Sequence, residues 1–277
     1  MNMPAPSFAA FLSKPQEIGK PKSIMLYGKP GTRKTSLAAE LVKLPDTKKI
    51  LFIDIDNGTE ALVGDPVVQE ALQGGQIDVM AIDSLEENAF AKINAVVQEV
   101  AKDDFGYSYV VLDTANIAQE IAVKHFMATV TNSSGKLDSR AAWSEVAKWT
   151  DTILRMLHNA PHTTGISILH EKNETEDTGA TSIVPKLSGS AKDTVASIPS
   201  IVIHLAFEEV AGEEEGETVT KLVAHMGGND KYVSKNRYRL SDRIEDFTLV
   251  KMYKMISGTI DRGVGENDGD MEAGAQV

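Results

Sequence analysis

Residues 22–44 read KSIMLYGKPGTRKTSLAAELVKL, and the fold follows from how this stretch divides. Lys22 to Gly28 is a short apolar run closing on glycine, the pattern of a buried strand. From Ser36 to Leu44 the apolar residues fall at helical spacing, and the pattern stops before Pro45. Between strand and helix stands Gly28-Lys29-Pro30-Gly31-Thr32-Arg33-Lys34-Thr35, continuing into Ser36. Such a loop turns backbone N–H groups inward at a helix N-terminus, where anions are favoured. Strand, glycine-bearing loop, Lys-Thr and helix together make the setting of a Walker A phosphate loop. In that reading Gly28 and Gly31 permit the tight backbone, Lys34 reaches the β- and γ-phosphates of ATP, and the Thr35 hydroxyl holds Mg²⁺.

Arg33 departs from the pattern, standing where a second signature glycine is expected. A left-handed conformation there costs an L-residue about 1 kcal/mol. The alternative is an ordinary helical conformation with the guanidinium directed to solvent or phosphate.

Working outward, residues 48–56 (KKILFIDID), 107–114 (YSYVVLDT) and 164–170 (TGISILH) read as further buried strands. Residues 85–103, 116–130 and 140–160 carry amphipathic helical spacing. Residues 131–139 and 171–190 read as polar loops. Residues 199–209 and 218–226 read as paired strands around a turn, and 238–250 as a strand with a short loop. Strands alternating with helices predict an α/β fold with a mostly parallel central sheet covered on both faces. The late strands predict an antiparallel C-terminal extension.

Composition bounds the reading. The chain has 277 residues, 42% of them apolar, enough for one substantial core. It has no cysteine, which removes disulfides and thiolate metal sites and fits a cytoplasmic location. No run approaches the roughly 18 apolar residues of a membrane span, and the proline-bearing residues 1–20 read as a loose lead-in and not a signal peptide. The net charge of −12 argues against a passive nucleic-acid coat, but charge is unevenly spread. Residues 208–217 hold six glutamates, read as a solvated turn, while residues 230–239 are basic. The acidic, glycine-rich residues 256–277 read as a tail, disordered over its last part.

Asp113 ends the apolar run YVVLD, the Walker B position from which a carboxylate holds Mg²⁺. The competing reading is a cap on the next helix by Asp113 or Thr114. Asp54 and Asp56 end ILFIDID and share one face by alternation. One of them polarises the attacking water, or both stabilise the following loop as Asx-type turns. His170 ends GISILH at the same sheet edge, where a polar side chain can bond the γ-phosphate or its water. The remaining histidines show no metal-ligand spacing.

The ordered set GKPGTRKT, KKILFIDIDNGTEAL, YVVLDT, ISILHEKNE, KLSGSAKDT and YVSKNRYRL resembles the phage-encoded RecA-like P-loop ATPases. This is the phage nucleotide-binding AAA-domain family that includes the Sak-type single-strand annealing recombinases. The resemblance spans roughly residues 20–255 and implies a RecA-like ATPase domain over 21–255. It implies that Asp56 takes the place of the family's catalytic glutamate, one methylene shorter, and that His170 takes the place of its sensor glutamine. Residues 171–190 correspond to a DNA-contacting loop, and residues 131–140, more loosely, to a second. It also implies that Lys235 and Arg237, in Lys-Asn-Arg, reach the ATP of a neighbouring protomer. From the resemblance come single-stranded DNA as a partner, with Lys136, Arg140, Lys172, Lys186 and Lys192 as candidate phosphate contacts. Self-assembly into an oligomer or filament with the nucleotide at the protomer interface follows likewise, as does a single-stranded-DNA-binding protein as a loading partner. No aromatic stacking platform is evident in the DNA-facing loops. A different reading is a P-loop adaptor that binds nucleotide and a replication or packaging protein without acting on DNA. A kinase would need an arginine-bearing lid, which is not found.

Overall fold

The computed structural model describes residues 22–102, 105–175, 179–212, 214, 217–228 and 231–262. The lead-in, the tail from residue 263 and residues 213, 215 and 216 of the glutamate-rich turn lie outside them. The chain forms β1 (Ser23–Gly28), α1 (Lys34–Ala39), β2 (Ile50–Asp54), α2 (Pro66–Gln73), β3 (Ile77–Ala81), α3 (Ala89–Val100), β4 (Tyr109–Asp113), α4 (Ala115–Thr129) and α5 (Ser139–His158). There follow β5 (Thr164–Thr175), β6 (Thr181–Pro185), α6 (Ala191–Val195), β7 (Ile201–Ala211), β8 (Thr218–His225), β9 (Lys235–Asn236), β10 (Arg243–Glu245) and α7 (Leu249–Ile256).

One sheet runs β10-β8-β7-β1-β5-β4-β2-β3, with β6 added to β5 and β9 to β7. β7, β1, β5, β4, β2 and β3 are parallel, whereas β8 and β10 pair antiparallel. β1 lies at the centre between β5 and β7, so every group at its C-terminal end has a strand on either side. Strand alternation feeds two cores. Ile24 and Leu26 of β1 enter a layer with α1, α2 and α7, while Met25 and Tyr27 enter the opposite layer with α3, α4, α5 and α6. β2 and β4 divide in the same way, with Phe52 and Val111 on the first side and Ile53 and Leu112 on the second. Each such side chain contributes about 1.5–3 kcal/mol on burial, which fixes strand register and with it the edge that carries the polar groups.

The structure departs from the reading of the sequence in three places. Residues 57–84 carry a 3-10 turn (Gly58–Gly64), α2 and the edge strand β3, none of which was anticipated. Residues 171–190 are not a loop throughout: β5 runs on to Thr175 and pairs antiparallel with β6, from Glu171 opposite Pro185 to Thr175 opposite Thr181. The β5 half of this two-stranded arm, Glu171 to Thr175, is polar, and its β6 half offers only Ile183 and Val184 as a pair of adjacent apolar residues, so it gives no apolar run to read. Where residues 238–250 were expected to form a strand with a short loop, the strand is only β10, and the chain then enters α7, whose Leu249, Met252, Tyr253 and Met255 complete the first core. Among the described residues no helix is long and apolar enough to cross a membrane.

Candidate nucleotide site

The loop from Gly28 to Arg33 crosses from β1 into α1. A Cβ on Gly28 would stand 2.3 Å from the Leu205 carbonyl oxygen, so the strand admits no side chain there. Gly31 has φ +84°. Arg33 adopts the left-handed conformation, φ 60° and ψ 20°, as the residue preceding the helix. Its guanidinium leaves the loop interior and pairs with Glu40 one helix length on, at 3.2 Å. The arginine therefore accepts the glycine-like backbone and occupies none of the space inside the loop.

Lys34 is buried, and its Nζ donates to the carbonyl oxygens of Gly28 (3.1 Å) and Lys29 (2.8 Å) and to Thr32 Oγ1 (3.2 Å). Burial draws its pKa down to about 8, with the charges of Asp113, Glu171 and Asp56 opposing that shift. A buried ammonium held only by oxygens of its own loop, in the field of three carboxylates, is suited to a phosphate. Thr35 Oγ1 donates to Asp113 Oδ2 at 2.6 Å, joining the phosphate loop to the end of β4. Burial pushes Asp113 up to about 6, and the Thr35 hydrogen bond pulls the other way. A Cβ on Gly58 would lie 3.0 Å from Asp113 Oδ2 and 3.1 Å from Thr35 Oγ1, so backbone closes over this pair. A hydroxyl and a carboxylate in contact beside the lysine fit a hard divalent cation in donor chemistry.

The capping role considered for Asp113 is not the one it plays. Thr114 precedes α4 without a side-chain capping bond, and the Asp113 carboxylate faces Thr35. The two aspartates of β2 part company. Asp54 is buried and accepts from the backbone of Gly58 (3.0 Å) and Thr59 (3.2 Å) and from the Thr59 hydroxyl, an Asx-type anchor for the loop. Asp56 lies beyond the strand with its side chain 44% exposed, and its Oδ2 is 3.8 Å from His170 Nε2. His170 sits directly beside Gly28 in the β1–β5 register. Burial and the Lys34 charge hold its imidazole below the usual histidine range. Lys34, Thr35, Asp56, Asp113 and His170 thus gather on one sheet edge, at the carboxyl ends of the strands where open α/β sheets bind ligands.

Three contributors were not read from the sequence. Asn116 accepts from the His170 N–H at 3.1 Å, and its Nδ2, buried, has no partner. Glu171 projects beside Lys34 and meets His204 Nε2 at 2.8 Å. Gly58 supplies the backbone that closes over Thr35 and Asp113. A polar residue just past the apolar run of a strand was the available signal for Glu171, and a polar residue in the first turn of the following helix for Asn116.

The cations expected elsewhere are scattered. Lys235 pairs with Val202 at the start of β7, about 10 Å of strand from Leu205 beside the phosphate loop. Its Nζ donates to the Ser197 carbonyl at 2.5 Å, at the opposite edge of the sheet. β9 ends at Asn236, so exposed Arg237 lies in a turn and does not share a strand face with Lys235, as alternation had suggested. Lys172 donates to the Leu187 carbonyl at 2.6 Å within its own arm, and Lys186 lies 3.7 Å from Glu120. Lys136 and Arg140 are exposed, and Lys192 lies on α6. A cleft of about 560 Å³ bordered by Lys22, Leu44, Tyr109 and Tyr253 opens where the strands begin, away from this constellation.

Among the solved structures, the chain is similar to an ATPase from the type III secretion system of pathogenic bacteria, at 16% identity and a TM-score of 0.44. The match covers 67% of this chain and 51% of that one, so the chain spans about half the length of that protein. No curated protein matches. The AAA domain family matches residues 20–238, from the lead-in to the first strand through the Lys-Asn-Arg segment. With its phosphate loop, its Thr35–Asp113 contact and most of its length within that match, the chain belongs to the AAA domain family and carries a nucleotide-binding, ATPase-like α/β domain.

Proposed function

We propose that this chain hydrolyses ATP with Mg²⁺ and couples hydrolysis to single-stranded DNA in annealing or recombination, as a RecA-like phage protein of the cytoplasm. The observation that carries the ATPase reading is the 2.6 Å contact between Thr35 and Asp113 beside buried Lys34, with the Asp56–His170 pair on the same edge. Thr35 and Asp113 would hold Mg²⁺, which supplies charge neutralisation at the phosphates. The N–H groups of Gly28, Lys29, Gly31, Thr32, Arg33, Lys34, Thr35 and Ser36 would line the phosphates, with Pro30 shaping the turn. Asp56 would take a proton from water and His170 would orient it. Residues 21–255 form the proposed catalytic domain.

The DNA reading is supported by the β5–β6 arm, which extends β5 past His170 and returns through Lys186 into α6. Self-assembly is supported by Lys235 and Arg237. They sit far from their own phosphate loop and so can complete a site only in a neighbour. A single-stranded-DNA-binding protein fits as loading partner. The net charge of −12, and the engagement of Lys172 and Lys186 with groups of this chain, favour a second reading as a nucleotide-binding adaptor. ATP hydrolysis measured with and without single-stranded DNA, across a salt series, separates them. Stimulation that fades with salt supports the first reading, and turnover indifferent to DNA supports the second.

A further inference from the structure

Trp143 lies in the second turn of α5 and is 40% exposed, although its helix buries Ala142 and Val146 on the core side. Leu137, just before the helix, is 62% exposed. The indole borders the loop that returns from the β5–β6 arm: a Cβ on Gly189 would stand 3.7 Å from Trp143 Cε3. That loop is fixed to the molecule. The Ser188 N–H donates to Gln119 Oε1 at 2.7 Å, Gln119 Nε2 donates to the Ser188 carbonyl at 3.2 Å, and the Lys186 N–H donates to the His170 carbonyl at 2.8 Å. The indole is therefore held on a rigid seat, one short segment from His170.

The charges around it are of two kinds. The carboxylates are engaged: Asp138 accepts from the Ala141 N–H at 3.0 Å, Glu145 pairs with Lys148 at 2.7 Å, and Glu120 faces Lys186 at 3.7 Å. Arg140, three residues before Trp143 and so on the same helix face, makes no ion pair among the described residues. Neither does Lys136 in the preceding loop. A single exposed indole with Arg140 on its helix face and Lys136 in the loop before the helix, neither ion-paired among the described residues, does not resemble the broad apolar field of a protein interface. It matches a base over a ring and phosphates over cations.

Resting on the reading that this chain acts on single-stranded DNA, we propose that Trp143 is a stacking platform for a base of that strand, with Arg140 and Lys136 on the flanking phosphates. Stacking on an indole accepts every base, so the platform binds without sequence preference. It also places a base against the loop whose other end carries the nucleotide sensor.

The test uses fluorescein-labelled oligothymidylate, ATP and Mg²⁺ with the full chain. Trp143→Ala weakens binding about 5- to 150-fold, and Trp143→Phe restores most of it. The slope of log affinity against log salt stays that of the wild type, because no phosphate contact is removed. The chain has two tryptophans, and Trp149 is tied to Asn94 at 2.8 Å, so in Trp149→Phe the remaining emission is quenched as the oligonucleotide binds. If Trp149→Phe fails to fold, the quench is read as the difference between wild type and Trp143→Ala. Equal affinity of Trp143→Ala and wild type, with unmoved emission, overturns the platform and leaves the DNA reading standing. No binding by the wild type removes both. Emission that changes with protein concentration alone, and not with oligonucleotide, shows the indole covered by a second copy and overturns the proposal.

Discussion

Thr35 Oγ1 lies 2.6 Å from Asp113 Oδ2, although 78 residues separate the two along the chain. The contact joins the first turn of α1 to the last residue of β4, and it forms because β5 alone intervenes between β1 and β4. It also has a cost. Asp113 is buried, and its pKa is pushed up to about 6 by burial, so ionising this carboxylate costs more in the folded protein than in water.

Asp113→Asn should therefore fold as well as the wild type or better when measured by thermal melting without metal, while losing most ATP turnover. Its ATP binding should lose its dependence on Mg²⁺. A large drop in melting temperature with Mg²⁺ dependence intact would make Asp113 a structural residue.

Asp54 and Asp56 should separate in the opposite sense. Asp54 accepts three hydrogen bonds from the loop it anchors, so Asp54→Asn should cost about 1–3 kcal/mol in denaturant titration. Asp56 is half exposed, and Asp56→Asn should leave stability within about 0.5 kcal/mol and reduce turnover about 100-fold or more. Normal turnover by Asp56→Asn would move water activation elsewhere.

How far the site was legible in the sequence follows from these residues. β1, β2, β4 and the first part of β5 are buried on both faces and announce themselves as apolar runs, so the edge bearing Lys34, Asp113 and His170 could be placed. β3 is half exposed, with Ile77 buried but Val79 and Ala81 open to solvent, and is only five residues long; it left no run to read. The β5 half of the β5–β6 arm is polar and partly exposed, and Ile183 and Val184 in β6 are too few to make an apolar run. That Asp54, and not Asp56, anchors the loop depends on the chain turning sharply at Asn57, which has a positive φ of 53°; strand alternation alone treats the two alike. Trp143 was hidden among core-type residues of α5, because only the return of the Gly189 loop shows which face it takes.

Arg33 offers a test of backbone strain. Its φ of 60° suits glycine, so Arg33→Gly relieves about 1 kcal/mol of strain while losing the ion pair to buried Glu40. Arg33→Ala loses the pair and keeps the strain. Urea denaturation should place Arg33→Gly above Arg33→Ala by about 1 kcal/mol, the reverse of their order in a helix interior. Alanine as the more stable variant would refute the strain.

His158 should make stability fall in acid. It is fully buried, its Nδ1–H donates to the Gly165 carbonyl (3.2 Å), and its Nε2 accepts from the Ser167 hydroxyl (3.0 Å), which requires the neutral ring. Burial lowers its pKa from 6.5 to about 4. The unfolded chain therefore binds the proton first. The contribution is whole above pH 6.5 and is lost as pH falls through about 4, up to about 3 kcal/mol. Denaturant titrations between these limits should show that fall in the wild type and a smaller one in His158→Gln.

Assembly is tested by mixing. Lys235→Ala/Arg237→Ala should bind ATP and hydrolyse it poorly, and so should an otherwise intact chain lacking a neighbour. Mixed with Lys34→Ala, which has intact fingers and a dead loop, the finger variant should regain part of its activity. No recovery in mixtures shown to co-assemble would place the cations outside the reaction.

The central claim is that ATP is hydrolysed at the edge where Lys34, Thr35, Asp56, Asp113 and His170 meet. Its most direct test is steady-state ATP hydrolysis with Mg²⁺ by the full chain and by Lys34→Ala, alongside a thermal melt of each. Lys34 contacts only the loop carbonyls and Thr32, so Lys34→Ala should melt as a folded protein and show no turnover above background. A folded Lys34→Ala that hydrolyses ATP at the wild-type rate would contradict the account.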